Sequence, residues 1–286
     1  MDPKYRIIVE EKLKDFLQED IHFEDVSSTI IPEDEVGKAE IIAKQDGVLA
    51  GVEELQVIFG IVNCEVSLAK KEGDLVTKGD VIAKINGSLR SILLVERTAL
   101  NILMHLSGIA TKTRKFQEII AKERTNENCR IAATRKTIPG MRIMEKRAVK
   151  VGGGDTHRWN LDDMVLLKDT HRTYFGDVES MVKKSREITS FSKKIEVEVE
   201  TTDDAVLATK AGADIIMLDN MAFDDMKTTV EKLVELGLRD KVILESSGNV
   251  TIETLPEHAK TGVDLISTSA ITLKAPPVDF SLEFMK

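Results

Sequence analysis

From Cys129 onward the chain repeats one pattern, and that pattern limits the fold more than any other feature. Short apolar, β-branched runs recur at 131–133, 164–167, 195–199, 215–218, 242–244 and 265–267. Amphipathic stretches such as FGDVESMVKKSREITS and TTDDAVLATKAGA separate most of them. Strand–helix alternation of this kind implies parallel strands joined by right-handed crossovers. Only six runs can be counted, so the pattern predicts a partial, open α/β barrel rather than eight closed repeats.

The first part of the chain reads differently. Ile8, Val9, Leu13, Phe16 and Leu17 stand at helical spacing and predict a helix over 5–18. A polar loop follows, closed by Pro32. From Gly37 to Ile92 the pattern is one of short alternating strands with close glycine turns. The segment KEGDLVTKGDVIAKI looks like a lipoyl-like hairpin, but no lysine sits at a tight turn, so it reads as scaffold. The helical period returns from Leu93 to about Glu123. The fold class is therefore α/β. Residues 1–110, joined by the tail 275–286, are expected to form an N-terminal α/β sandwich, and 111–274 the open barrel.

At 286 residues the chain has ample core. Its net charge of −9 argues against nucleic acid or an anionic membrane as the main partner. Cys64 and Cys129 lack metal-ligand spacing and read as reduced thiols of a cytoplasmic protein. The N-terminus is charged throughout, unlike a signal peptide, and no apolar run approaches a bilayer-spanning length.

Against that acidity, residues 130–172 carry ten Lys or Arg and five Asp or Glu. Such a reversal needs either a solvated basic face or a polyanionic ligand. The strand ends favour a ligand. They carry Arg135-Lys136, Lys168-Asp169, Glu198, Asp219-Asn220, Ser247-Gly248 and Ser267-Thr268-Ser269, and barrel active sites gather at those ends. Glu198 and Asp219 suit ribose hydroxyls or a hard cation such as Mg2+, which takes few carboxylates plus ligand phosphates. The Ser247-Gly248 and Ser269 turns offer backbone N–H groups to a phosphate. Bland readings compete with these. A lone His157 is most often surface or satisfied core, and Gly152-Gly153-Gly154 can be a plain turn. Lys168 on an apolar strand also admits a Schiff base. Glu196, Glu198 and Glu200 alternate on one side of their strand, so at least one faces the site.

Several segments in order resemble the quinolinate phosphoribosyltransferase family. They are ERTALNILMHLSGIAT (96–111), TRKTIPGMR (134–142), EKRAVKVGGGDTHR (145–158), VLLKDTH (165–171), EVEVE (196–200), GADIIMLDNM (212–221), ESSG (245–248) and TGVDLIS (261–267). The resemblance implies an N-terminal α/β sandwich, an incomplete barrel, and a homodimer or higher homo-oligomer that shares its active sites. It implies reaction of quinolinate with phosphoribosyl pyrophosphate to nicotinate mononucleotide, pyrophosphate and CO2, assisted by Mg2+. By the family pattern Arg135, His157, Arg158 and Lys168 surround the pyridine dicarboxylate, joined by Arg97 of the second copy. Lys136 and Lys168 face the pyrophosphate, Glu198 and Asp219 the ribose and metal, and Ser247, Gly248 and Ser269 the 5′-phosphate. The catalytic set is then Lys136, Lys168, Glu198 and Asp219.

The chain departs from the family pattern at Ala133, Thr170, Asn249 and Ser269. Loss of glycine from two phosphate-binding turns predicts altered backbone approach there. A related ModD-like branch, linked to molybdenum transport, shares the TRKT and HR segments and acts on a different acid. Lys168-Asp169 favours the quinolinate enzyme over it. A non-catalytic binding protein on the same scaffold has no evident need for the full set of charged residues.

Overall fold

The computed structural model describes residues 2–23 and 25–285. Along the chain run α1 (Pro3–Asp20), β1 (Val36–Ala43), β2 (Gly47–Val48), α2 (Val52–Ile61), β3 (Glu65–Leu68), β4 (Leu75–Val76), β5 (Val81–Ser88) and α3 (Leu89–Glu123). Then come β6 (Arg130–Ala132), α4 (Arg142–Val151), β7 (Val165–Leu167), α5 (Asp169–Phe175), α6 (Val178–Ile188), β8 (Ile195–Val199) and α7 (Thr202–Ala211). The last are β9 (Ile215–Asp219), α8 (Phe223–Glu235), β10 (Ile243–Ser247), α9 (Leu255–Ala259), β11 (Leu265–Ser267) and β12 (Phe280–Phe284). Two compact units result. The first holds Met1–Arg114, Ile138–Gly153 and Ala275–Lys286, and the second holds Lys115–Thr137 and Gly154–Lys274.

In unit 1 an antiparallel sheet has the order β12-β1-β5-β3, so the C-terminal tail closes one edge of the N-terminal sheet. The expected run of strands between Gly37 and Ile92 is interrupted by α2. Its segment VEELQVIFGI is apolar enough for either structure, and Gly51, at φ 101°, makes the turn that starts the helix. The division between units falls within α3 at residues 114 and 115 rather than at 110. A larger departure is the return of residues 138–153 to unit 1. There α4 buries Met144, Ala148 and Val149, together with Glu145 and Lys146. Glu145 lies 2.8 Å from His105 Nε2, Arg147 pairs with Glu53 at 2.5 Å, and the Arg147 guanidinium covers the Tyr5 ring at 4.1 Å. These partners are far away in sequence, so local pattern could not assign the segment.

By length and composition α3 is apolar enough to cross a membrane, contrary to the sequence expectation, and 61% of that window is buried within the protein. Ile92, Val95, Leu100, Leu103, Leu106 and Ile109 are all fully or nearly fully buried, as in a core helix. Gly108 sits on this helix because the tail crosses it. A Cβ there would stand 2.2 Å from the Pro276 carbonyl oxygen and 3.0 Å from Pro277 Cα. Gly108→Ala is expected to lower stability by about 1–3 kcal/mol through overpacking, read as a shift in the denaturant midpoint.

Unit 2 is built on a parallel sheet of order β6-β11-β10-β9-β8-β7. The six strands follow chain order around the sheet except at the seam, where β6 and β7 are not paired. This is the open barrel that the strand count predicts. The segment leaving β6 departs into unit 1, so no crossover inside unit 2 joins the first strand to the second. The other connections are ordinary helices with local start and stop signals. Thr201 caps α7 by accepting from Asp204 N at 3.1 Å, and Gly212, at φ 97°, ends it.

Candidate active site

The strand ends of unit 2 surround a cleft of about 640 Å3. Pairing places its side chains in successive levels. Asp219 is opposite Ser247, and Glu198 is opposite Met217, which in turn pairs with Glu245. Because side chains alternate along a strand, Glu196 lies one level below Glu198, and Glu245 one level below Ser247. Asp219 and Ser247 thus form the outer level, Glu198, Met217 and Glu245 the next, and Glu196 lies deepest and fully buried.

Of the residues expected from sequence, Arg135, Lys136, His157, Arg158, Lys168, Glu198, Asp219, Ser247 and Gly248 all line this cleft. Arg97 does not. It lines a cavity of about 340 Å3 within unit 1, beside Glu19, Asp20 and His105. Ser269 is not among the lining residues either. Its carbonyl accepts from Thr272, and Ser267 occupies the cleft wall instead. Sequence reasoning gave no role to Glu245 or Thr134, which also line it together with the strand-end Asn220 and the turn residue Asn249. A period of two counted back from Ser247 would have pointed to Glu245.

The loop that carries Lys136 is held by its backbone. Lys136 N–H donates to Thr134 Oγ1 at 3.0 Å, and its carbonyl accepts from Thr272 Oγ1 at 2.9 Å. The ammonium is left exposed on the cleft wall. Arg158 fixes its own loop by donating to the Met164 carbonyl at 2.7 Å. Burial, and then the nearby Arg135 charge, hold the Arg158 guanidinium below its ordinary pKa. The Nε atoms of both arginines are buried and have no hydrogen-bond partner. Two like charges with orphaned donors are costly unless an anion meets them. Lys168 Nζ lies 3.1 Å from Glu198 Oε2, and its backbone N–H donates to His171 Nδ1 at 3.0 Å at the start of α5.

Opposite these cations, Glu198 and Asp219 present two carboxylates from neighbouring strands. Asn220 Nδ2 donates to Asp219 Oδ2 at 2.7 Å, and Asn249 Nδ2 donates to Asn220 Oδ1 at 3.1 Å. Gly248 at φ 94° and Asn249 at φ 50° form a left-handed turn at the end of β10. Asparagine tolerates that conformation better than most residues, so Asn249 keeps the turn without a glycine. Two carboxylates beside the cations of the cleft suit a hard divalent ion that shares its shell with a ligand's phosphates.

Beneath this level His157 is packed against buried acids. Its Nε2 is 2.9 Å from Glu196 Oε2 and 3.6 Å from Glu245 Oε2. Burial, the largest single influence, pulls the imidazole down, but Glu196, Glu245 and Asp155 together hold it above its ordinary value. Burial and the adjacent Glu196 push the Glu245 carboxyl up to about 8.

Models of the two domains of quinolinate phosphoribosyl transferase match residues 20–107 (N-terminal domain) and 109–283 (C-terminal domain). The chain belongs to the quinolinate phosphoribosyl transferase family. A relative from Methanothermobacter thermautotrophicus, named as a probable carboxylating nicotinate-nucleotide pyrophosphorylase, is 43% identical over 272 residues, 95% of this chain and 97% of its own. One of the same name from Archaeoglobus fulgidus is 47% identical over 258 residues, 90% of this chain and 98% of its own. The crystal structure of NadC from Streptococcus pyogenes superposes with a TM-score of 0.90 at 36% identity, covering 97% of each chain. Within this quinolinate phosphoribosyl transferase family fold, the strand-rich unit and the parallel-sheet unit with helices both recur.

Proposed function

We propose that this chain is a cytoplasmic enzyme that transfers a phosphoribosyl group from phosphoribosyl pyrophosphate to quinolinate, releasing pyrophosphate and CO2 and leaving nicotinate mononucleotide. The observation that carries this reading is the meeting of Arg135, Arg158, Lys168 and His157 in one cleft, with two arginine Nε donors unmatched. A ring with two adjacent carboxylates supplies the anions those donors need, and arginine grips carboxylate with a planar fork.

The rest of the cleft supports the sugar side. Ser247 and the Gly248–Asn249 turn receive the 5′-phosphate on hydroxyl and backbone N–H groups. Glu198 and Asp219 face the ribose and would hold Mg2+, which when bound neutralises charge on the diphosphate. Lys136 and Lys168 stabilise the negative charge that grows on the departing pyrophosphate. No protein nucleophile is needed. The pyridine nitrogen attacks C1′ as the C1′–O bond breaks, and the site supplies proximity. The pyridinium then accepts the electron pair left when the adjacent carboxylate departs as CO2, and a proton takes its place on the ring. Arg97, on a different cavity, joins the site from a second copy in a dimer or higher oligomer.

Incubation with phosphoribosyl pyrophosphate, Mg2+ and quinolinate is expected to release pyrophosphate and CO2 in equal amounts. Pyrophosphate release with nicotinate but not quinolinate would assign the site to another acid, and no turnover with either would overturn the reading.

A further inference from the structure

The acids packed against His157 have no part in the scheme above. Glu196 and Glu245 are both fully buried. The groups that meet their carboxylates are His157 Nε2, which approaches both, and the Ser267 hydroxyl, which lies towards Glu245. A buried acid pair with few partners is destabilising, so its retention calls for a local use. The two belong to different strands separated by β9, Glu245 level with Glu198 and Glu196 two residues deeper on its strand. His157 comes from the irregular segment between α4 and β7. Its backbone N–H donates to Asp155 Oδ1 at 3.0 Å, which ties the main chain.

We propose that Glu196 and Glu245 are positioning residues that grip the His157 imidazole at Nε2, keeping a proton on that atom and presenting the ring to the dicarboxylate in one orientation. The inference rests on the assignment of quinolinate as substrate. Glu196 makes the closer contact and sets the ring plane. Glu245, 3.6 Å away, meets the same nitrogen from a second strand. A fixed ring saves orientational freedom that the substrate would otherwise have to restrict.

The test uses the full chain with Glu196→Gln and Glu245→Gln, which keep shape and remove charge. In steady-state assays each variant is expected to raise KM for quinolinate by about tenfold, the loss of one hydrogen bond to a charged group. KM for phosphoribosyl pyrophosphate should stay within about twofold, a split that general loss of structure does not produce. In a His157→Ala background, Glu245→Gln should add no further change, because the acid acts through the ring. Unchanged quinolinate KM in both variants, a parallel rise in both KM values, or additive effects with His157→Ala would each overturn the proposal. Should the wild-type chain not turn over quinolinate, the functional assignment fails while the grip remains measurable. Among the five histidines, the ring signal lost in His157→Ala should show an exchange-protected Nε2 proton in 15N NMR. Glu196→Gln should shift that signal and weaken its protection, and an unmoved signal overturns the proposal.

Discussion

Arg158→Ala and Lys136→Ala should each reduce nucleotide formation by about 10²–10³-fold or more, the usual cost of removing one preorganised charge-stabilising group. The two losses should differ in kind. Arg158 stands beside Arg135, and both Nε donors are buried without a partner. Removing one leaves a single guanidinium for two carboxylates, so the effect should appear first in the KM for quinolinate. Arg158→Lys should recover only part of it, since an ammonium cannot make the paired contact of a planar fork. Lys136 is exposed on the cleft wall, on a loop whose backbone is tied by Thr134 and Thr272 rather than by its side chain. Its removal should leave the fold intact and lower kcat more than substrate affinity, because the charge it meets grows during the reaction. Thermal melting of both variants provides the control. Arg158 also anchors the Leu161 and Met164 carbonyls, so a small loss of stability is expected for that variant alone. Near-normal turnover of either protein would contradict the assignment of the cleft.

The second large effect is expected at Gly248. A Cβ there would lie 2.2 Å from Asn220 Oδ1 and 2.9 Å from the Asn220 backbone nitrogen, and φ is already +94°. The Asn220 side chain cannot swing away freely, because it links Asn249 to Asp219. Gly248→Ala should therefore distort the turn and the Asp219 carboxylate together. About 1–3 kcal/mol of stability should be lost. KM for phosphoribosyl pyrophosphate should rise by more than about tenfold, while the quinolinate site, on the other wall, keeps its affinity. Asn249→Gly retains the left-handed turn and should be far milder by both measures, denaturant midpoint and KM. If Gly248→Ala bound the sugar phosphate normally, the turn would not be its cradle.

Much of this cleft was legible from residue order alone. Each apolar run of the second unit ends in a charged or hydroxyl residue, and parallel strands bring those ends to one side. That reasoning put Arg135, Lys168, Glu198, Asp219 and Ser247 around one space, where the structure places them. Other features were closed to it. The apolar content of 52–61 fits a strand as well as a helix, and only Gly51 and the surrounding packing select α2. Glu196 and Glu245 look like ordinary strand acids until folding brings His157 against both. Arg97 lines a cavity in unit 1, and α4 returns there through contacts with His105, Glu53 and Tyr5.

The sequence by itself determined the alternating architecture, the family, and the side chains carried at each strand end. Those depend on local periodicity and on motifs that survive without any neighbour. The tertiary structure alone decided which charges meet, which are buried, and which segment crosses between units. Such outcomes depend on register and on loops closing over long separations, where the energy of a contact belongs to two distant residues and is written in neither.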